Sequence, residues 1–424
     1  MTRRRTTGVG ANGRTPAQAV SGRMAELRDE FVDFISQLVR EESPSTDPEA
    51  QRGIRAILAD ALSDIGLEVE HIPGRASGGH LLARSPATVD GRAAEGSAAA
   101  EGPATGGPAA ADGLAADGLA TGGAQLLVGH MDTVWPIGTL RDMPLRVSDG
   151  RLSGPGAFDM KTGLAIGVFA LRALRDLGLD AGVAPVFLIN SDEEIGSPES
   201  EPLIRDLARV ASRAFVLEPA LGHGGRLKTR RKGIGQYHVE VAGRSAHAGL
   251  APEEGASAIL ELAHAIRRID RLADPETGTT MNVGLIAGGS RPNVVAASAS
   301  CEVDVRVWTA AEADRIREGM FGLEPYVPGT RIEVTQVAGR GPLERTPRNV
   351  ALWKRALRVA DEIGLELGEG SAGGGSDGNL TSQYTATLDG LGAVGDGAHA
   401  RHEFVWIDRA VERVALLAGL IAAR

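Results

Sequence analysis

Three short apolar runs each end at an acid or an imidazole, and this pattern limits what the chain can fold into. Residues 125–129 (QLLVG) lead into His130 and Asp132. Residues 186–190 (VFLIN) lead into Glu193 and Glu194, and residues 215–217 lead into Glu218. Each run reads as a buried strand bounded by polar residues. Between them the apolar spacing is helical: Leu27, Phe31, Phe34, Ile35 and Leu38, then Ile54, Leu58, Leu62 and Ile65, then the stretch 161–177. An alternating α/β order predicts an open sheet whose strand ends share one edge, where ligands bind. The acids and imidazoles are therefore expected to meet there.

The chemistry of these residues points the same way. His130 and Asp132 are two apart at a strand end and share a side if the extended geometry continues. The ring can then bind a metal through one nitrogen while Asp132 accepts the proton on the other. Asp159 follows Gly154-Pro155-Gly156, and its two oxygens can bridge two cations. Glu193 and Glu194 are adjacent, so their side chains diverge. One can bind metal while the other takes a proton from water and returns it to a leaving amine. His399 and His402 (GAHARHE) both have ligand chemistry, and spacing does not choose between them. Taken singly, each motif has a plainer reading: a loop histidine, an N-cap, a solvated acidic turn. Taken together, the set reads as a two-metal hydrolase.

The chain has 424 residues, enough for two or three domains at roughly 150 residues each. The net charge of −10 argues against a nucleic-acid partner. The only cysteine, Cys301, leaves no internal disulfide, which fits a reducing, cytoplasmic setting. No apolar run approaches the roughly 18 residues of a membrane span. The arginines at 3–5 lack the apolar stretch of an export signal. Residues 1–22 are expected to be a disordered leader. Residues 86–123, nearly all Ala, Gly, Asp, Thr and Pro, are expected to be a low-complexity surface insertion, too poor in bulky apolar groups to offset their ordering entropy. Residues 234–340 carry the order β-α-β-β-α-β of a split βαβ domain. A first catalytic part is thus expected over 23–233, an inserted domain over 234–340 and a second catalytic part over 341–424.

From about residue 23 to the end, apart from the insertion, the sequence resembles the M20 metallopeptidases, in particular their glutamate carboxypeptidase group. GHMDTVW, GPGAFDMKTG, SDEEIGS, VLEP, GRSAHAG, GGGSD and GAHARHE occur in family order. The resemblance implies an α/β, mixed-sheet zinc-peptidase catalytic domain with a ferredoxin-like α+β lid that also forms a homodimer. It implies two zinc ions per subunit, although such ligands also suit cobalt or manganese. His130 and Glu218 would bind one ion, Glu194 and His399 the other, and Asp159 both. His399 is favoured over His402 because the family ligand stands four residues before the glutamate matching Glu403. Asp132 would orient His130, and Glu193 would be the general base. His247 would stabilise the oxyanion from the partner subunit. Asn293, Arg306, Arg340 and the main chain around Gly375 would contact the substrate, Arg306 as a two-pronged donor to a carboxylate. The Asp159–Met160 peptide would be cis. The implied substrate is a small peptide or N-acyl amino acid with a free carboxylate, cleaved by a carboxypeptidase that releases a residue such as glutamate. An N-acyl-amino-acid deacylase, a dipeptidase or a non-catalytic metal-binding homologue are the alternatives. The run Arg230-Arg231-Lys232 departs from the carboxypeptidase pattern and reads as anion contacts or, more commonly, a surface charge run.

Overall fold

A computed structural model describes residues 13–85 and 123–423. The chain divides into two compact units. The first ends at Thr229 and takes up again over Thr346–Gly370 and from Ser376; the second comprises Arg230–Arg345 and Ser371–Gly375.

The first unit is built on a six-stranded mixed sheet. Its strands are β1 (Glu68–Ile72), β2 (His80–Arg84), β3 (Ala124–His130), β4 (Ala184–Asn190), β5 (Ala211–Val216) and β6 (Ala386–Leu388), in the spatial order β1-β2-β4-β3-β5-β6. β3, β4, β5 and β6 run parallel, and β1 and β2 form an antiparallel edge. The apolar runs are continuous because both faces are covered. Leu127, Phe187, Ile189 and Phe215 point into a core shared with three long helices, Pro16–Arg40, Thr162–Asp176 and Ile407–Ala422. Their neighbours Leu126, Val128, Val186, Leu188 and Val216 point the other way, towards the helix Glu201–Val210. The helix Thr162–Asp176 lies so close that a Cβ on Gly163 would stand 2.1 Å from the Leu217 carbonyl oxygen. Only glycine allows that approach.

One expectation fails at the N-terminus. The leader does not extend to residue 22, because a helix starts at Pro16. Thr15 and Gln18 form a capping box with Pro16 at the first helical position, and Ala17, Val20 and Met24 extend the buried stripe of Leu27 and Phe31. Residues 1–12 and 86–122, where the rest of the leader and nearly all of the insertion were expected, lie outside the described residues.

The second unit follows the β-α-β-β-α-β order, with strands Gly233–Ala242, Thr280–Gly288, Ser298–Val307 and Arg331–Arg340 and helices Ala258–Asp270 and Ala310–Phe321. All neighbouring strands are antiparallel, and the first strand lies between the third and the fourth, as in a ferredoxin-like sheet. Tyr237, Val239, Val241, Cys301, Val303 and Val305 alternate into its core against Leu262, Ile269, Ile316 and Met320 of the helices. No helix among the described residues is long and apolar enough to cross a membrane.

Candidate metal centre

Because β3, β4 and β5 are parallel, their C-terminal ends open on the same edge. His130 pairs in register with Asn190, the last residue of β4, and Val128 pairs with Val216, the last of β5. His130, the Glu193-Glu194 turn and Glu218 therefore arrive at one level.

Asp159 lies between two imidazoles. Its Oδ1 is 3.3 Å from His130 Nε2, and its Oδ2 is 3.5 Å from His399 Nε2. Glu218 Oε1 approaches His130 Nε2 at 3.6 Å, and Glu194 Oε2 approaches His399 Nε2 at 3.0 Å. The structure thus brings together all five residues expected to be ligands, and it directs His399 into the cluster. His402 lines a separate cavity beside Arg151 and Phe404. The Asp159–Met160 peptide is cis. His399 holds a left-handed backbone (φ 58°) within a tight turn closed by Ala400 N–H to the Gly397 carbonyl, and a second turn, closed by Glu403 N–H to the Ala400 carbonyl, follows it.

The polar groups at this edge are arranged for cations. His130 Nε2, Asp159 Oδ1 and Glu194 Oε1 are buried and have no hydrogen-bond partner. Buried acceptors without donors are costly, and a divalent cation would satisfy them. The donor atoms of His130, Asp159 and Glu194 lie within 4.8 Å of one another, and so do those of His130, Glu193 and Glu218. The imidazole and carboxylate donors fit a zinc-type site. Glu193, expected to be the base, thus also stands within reach of the His130 position. Burial works against protonation of His130, yet the carboxylates of Asp132, Asp159 and Glu218 hold its pKa well above the ordinary value. The hydrogen bond to Glu194 pushes His399 up to about 9 against a smaller burial effect. Burial raises the pKa of Glu194. The clustered carboxylates thus favour positive charge beside both imidazoles.

Asp132 does more than its motif indicated. His130 Nδ1 is 3.0 Å from the Asp132 main-chain oxygen and 3.4 Å from its carboxylate, so the backbone is the nearer partner. The carboxylate itself accepts from the N–H groups of Glu193 (3.3 Å) and Glu194 (3.2 Å) and from Ser45 Oγ (2.6 Å). One buried side chain therefore fixes the imidazole strand end and the acidic doublet together.

Glu403, four residues after His399, connects two turns of the site. Its buried carboxylate accepts from the main-chain N–H groups of Gly156, Phe158 and Asp159 and from Trp135 Nε1, at 2.8–3.0 Å. It ties the turn carrying Asp159 to the turn carrying His399. Burial pushes its pKa up to about 7 despite those four donors. Further out, Asp192 accepts from Glu199 N–H, Ser200 N–H and Ser200 Oγ. Glu199 in turn accepts from the N–H groups of Arg75, Ala76 and Ser77 and from Ser77 Oγ.

The remaining expected residues belong to the second unit. His247 is exposed, and its Nδ1 accepts from the N–H groups of Gly249 and Leu250, both at 3.1 Å. A neutral ring in that arrangement carries its proton on Nε2 and presents a donor to solvent. Asn293 is exposed in the adjoining loop, where its carbonyl accepts from Ala248 N–H. Arg306 and Arg340 are both in register with Ile234 from opposite sides, so they share a sheet face. The Nε and Nη2 of Arg306 already hold Asp304 at 2.8 and 3.0 Å, which leaves the Nη1–Nη2 end for a second partner. The Gly375 carbonyl accepts from Arg231 Nη1 at 2.9 Å. The basic run is not a surface charge run: Arg231 is buried, and Arg230 and Lys232 are half-buried against the Trp308 ring.

A mixed α/β sheet with imidazoles and carboxylates gathered at its parallel strand ends defines a metal-dependent hydrolase. The chain belongs to peptidase family M20/M25/M40, whose pattern it matches over residues 126–423. It is 31% identical over 306 residues to carboxypeptidase G2 of Pseudomonas sp. (strain RS-16), covering 70% of this chain and 72% of that one. It is 28% identical over 332 residues to a succinyl-diaminopimelate desuccinylase of Roseobacter denitrificans, covering 69% and 81%. Its fold matches the crystal structure of aminopeptidase PepT from Bacillus cereus with a TM-score of 0.68 at 22% identity, over 93% of this chain and 98% of that one.

Proposed function

We propose that this enzyme hydrolyses an amide bond in a small peptide or N-acyl amino acid with a free carboxylate, releasing a C-terminal amino acid such as glutamate. The observation that carries this reading is Asp159, with one oxygen facing His130 and the other facing His399. In this reading His130 and Glu218 would hold one zinc ion and Glu194 and His399 a second, with Asp159 contributing to both. Cations held there supply Lewis acidity and make a bound water easier to deprotonate. Glu193 takes the proton from the attacking water and later gives it to the leaving amine. Asp132 keeps the Glu193-Glu194 turn in place through the two N–H bonds to its carboxylate. His247, supplied by a partner subunit of a homodimer built through the second unit, donates from Nε2 to the oxyanion. Arg306 and Arg340 bind the substrate carboxylate, and Asn293 and the main chain at Gly375 help to hold the substrate.

The likeness to carboxypeptidase G2 supports the carboxypeptidase form of the reaction. The likeness to the desuccinylase supports a second form, removal of an acyl group from an amino acid, on the same residues. Hydrolysis of glutamate-terminated peptides measured against N-acyl amino acids separates the two. For either form, Glu193→Ala is expected to lower kcat by about a hundredfold to ten-thousandfold, the usual range for a general base, while metal content stays at the wild-type level. Unchanged turnover in that variant would rule out the base assignment.

A further inference from the structure

The basic run Arg230-Arg231-Lys232 has no place in the reaction described above, yet Arg231 is only 3% exposed. Its backbone is fixed by paired bonds with Leu343, at 2.9 Å from its N–H and 3.1 Å to its carbonyl. Its Nη1 donates to the carbonyls of Gly374 (3.2 Å) and Gly375 (2.9 Å). The next residue, Lys232, donates its N–H to the Ala372 carbonyl at 3.0 Å. The basic run thus holds the stretch Ala372–Gly375 from its start to its end.

This has a directional consequence. In a trans peptide the carbonyl and the following N–H lie in one plane and point in opposite directions. The Gly374–Gly375 peptide is trans. With the Gly374 carbonyl turned onto Arg231, the Gly375 N–H points away from it. No described residue accepts that N–H, and Gly375 is half-buried. A three-glycine loop has many accessible conformations and cannot hold a donor in one direction by itself. A buried guanidinium clamped on two successive carbonyls can.

Resting on the amide-hydrolase reading, we propose that Arg231 is a positioning residue that aims the Gly375 N–H at an oxygen acceptor of the substrate. The contact atom at Gly375 is the N–H, since the Gly374 and Gly375 carbonyls both accept from Arg231. Arg231 touches no reacting atom; it sets where the donor points. Lysine, with a compact ammonium in place of a planar fork, is a poor substitute at such a site.

The test uses zinc-loaded, full-length enzyme and the glutamate-terminated peptide or N-acetyl amino acid that the wild type turns over best. Arg231→Ala is expected to raise KM about tenfold, the scale of one charge-assisted contact, with kcat within about twofold. Arg231→Lys is expected to recover only part of that loss. Millimolar guanidinium chloride is expected to lower the KM of Arg231→Ala and leave the wild type unchanged, a response that a general loss of packing does not give. Gly375→Pro, which keeps Arg231 and the carbonyl but removes the N–H, is expected to raise KM by a similar factor. This variant carries the test if Arg231→Ala does not fold. Wild-type turnover that Glu193→Ala abolishes keeps the underlying reading. With that reading standing, a KM within twofold of wild type in Arg231→Ala or in Gly375→Pro overturns the positioning role alone. If the wild type hydrolyses none of these amides, the underlying reading fails, and the Kd of the same probes replaces KM with the same expected ratios.

Discussion

The buried carboxylates of the first unit fall into two sets that differ in what they accept. In the inner set, Asp159 Oδ1 and Glu194 Oε1 are buried without a hydrogen-bond donor; Asp159 Oδ1 lies 3.3 Å from His130 Nε2, and the other Glu194 oxygen, Oε2, lies 3.0 Å from His399 Nε2. In the outer set, Glu403 accepts four donors, Asp132 three and Asp192 three. Both sets are withdrawn from water, and both would be costly if left unpaired. The difference is the kind of partner each is built for. N–H and O–H groups satisfy the outer set and turn each carboxylate into a tie between loops. The inner set has its lone pairs directed at one another's neighbourhood, an arrangement that is favourable only around positive charge.

Changing the inner set should have the largest effect. Asp159→Asn keeps the shape of the side chain but removes its charge. It is expected to lower kcat/KM by about a thousandfold or more, consistent with the several kcal/mol that metal ions contribute as Lewis acids. It is also expected to reduce the number of zinc ions retained after gel filtration. Near wild-type activity in Asp159→Asn would place it with the outer set. An outer carboxylate close to the metal centre should give an intermediate effect. Glu403→Ala is expected to weaken zinc affinity about 10-fold to 100-fold, the range for residues that orient ligands, while the fold persists by circular dichroism. Unaltered zinc affinity would mean that the Asp159 turn holds its shape without Glu403.

The most distant tie should have the smallest effect, and it should be a stability effect. Burial works against ionisation of Glu199, but the Ser77 hydroxyl and the N–H groups of Ala76, Arg75 and Ser77 outweigh it and hold its pKa down to about 2. A carboxylate with a depressed folded-state pKa adds stability that is fully present above its ordinary pKa and is lost as pH falls towards the depressed one. Glu199→Gln is therefore expected to flatten the loss of thermal stability between about pH 4.5 and pH 2 and to leave neutral-pH activity within about twofold. An unchanged acid limb would show that Glu199 does not tie the 75–77 loop as described.

The inner set was legible in the sequence because each member follows an apolar run or a glycine turn. His130, Glu193, Glu194 and Glu218 are placed by the ends of parallel strands, and a strand end is a local signal. Of the outer set, Asp132 was legible because it stands two residues from His130, whereas Glu403 and Asp192 were not, for the opposite reason. Glu403 reaches N–H groups as far as 268 positions away, and nothing near it in sequence marks that destination. Arg231 shows the same limit. A run of three basic residues carries no sign that its middle member will be buried against glycine carbonyls 143 and 144 positions later. The start of the first helix well before residue 22 is local and readable, because Thr15 and Gln18 form a capping box there. The β-α-β-β-α-β order was recoverable because strand and helix periods alternate cleanly there.

Zinc titrated into chelator-treated enzyme, followed by calorimetry with activity measured in parallel, tests the central claim most directly. The inner set as a two-cation site predicts saturation at two ions per chain, with amide hydrolysis returning as the sites fill and Glu193→Ala binding the same number without turnover. Binding of fewer than two ions, or full turnover in the metal-free protein, would contradict it.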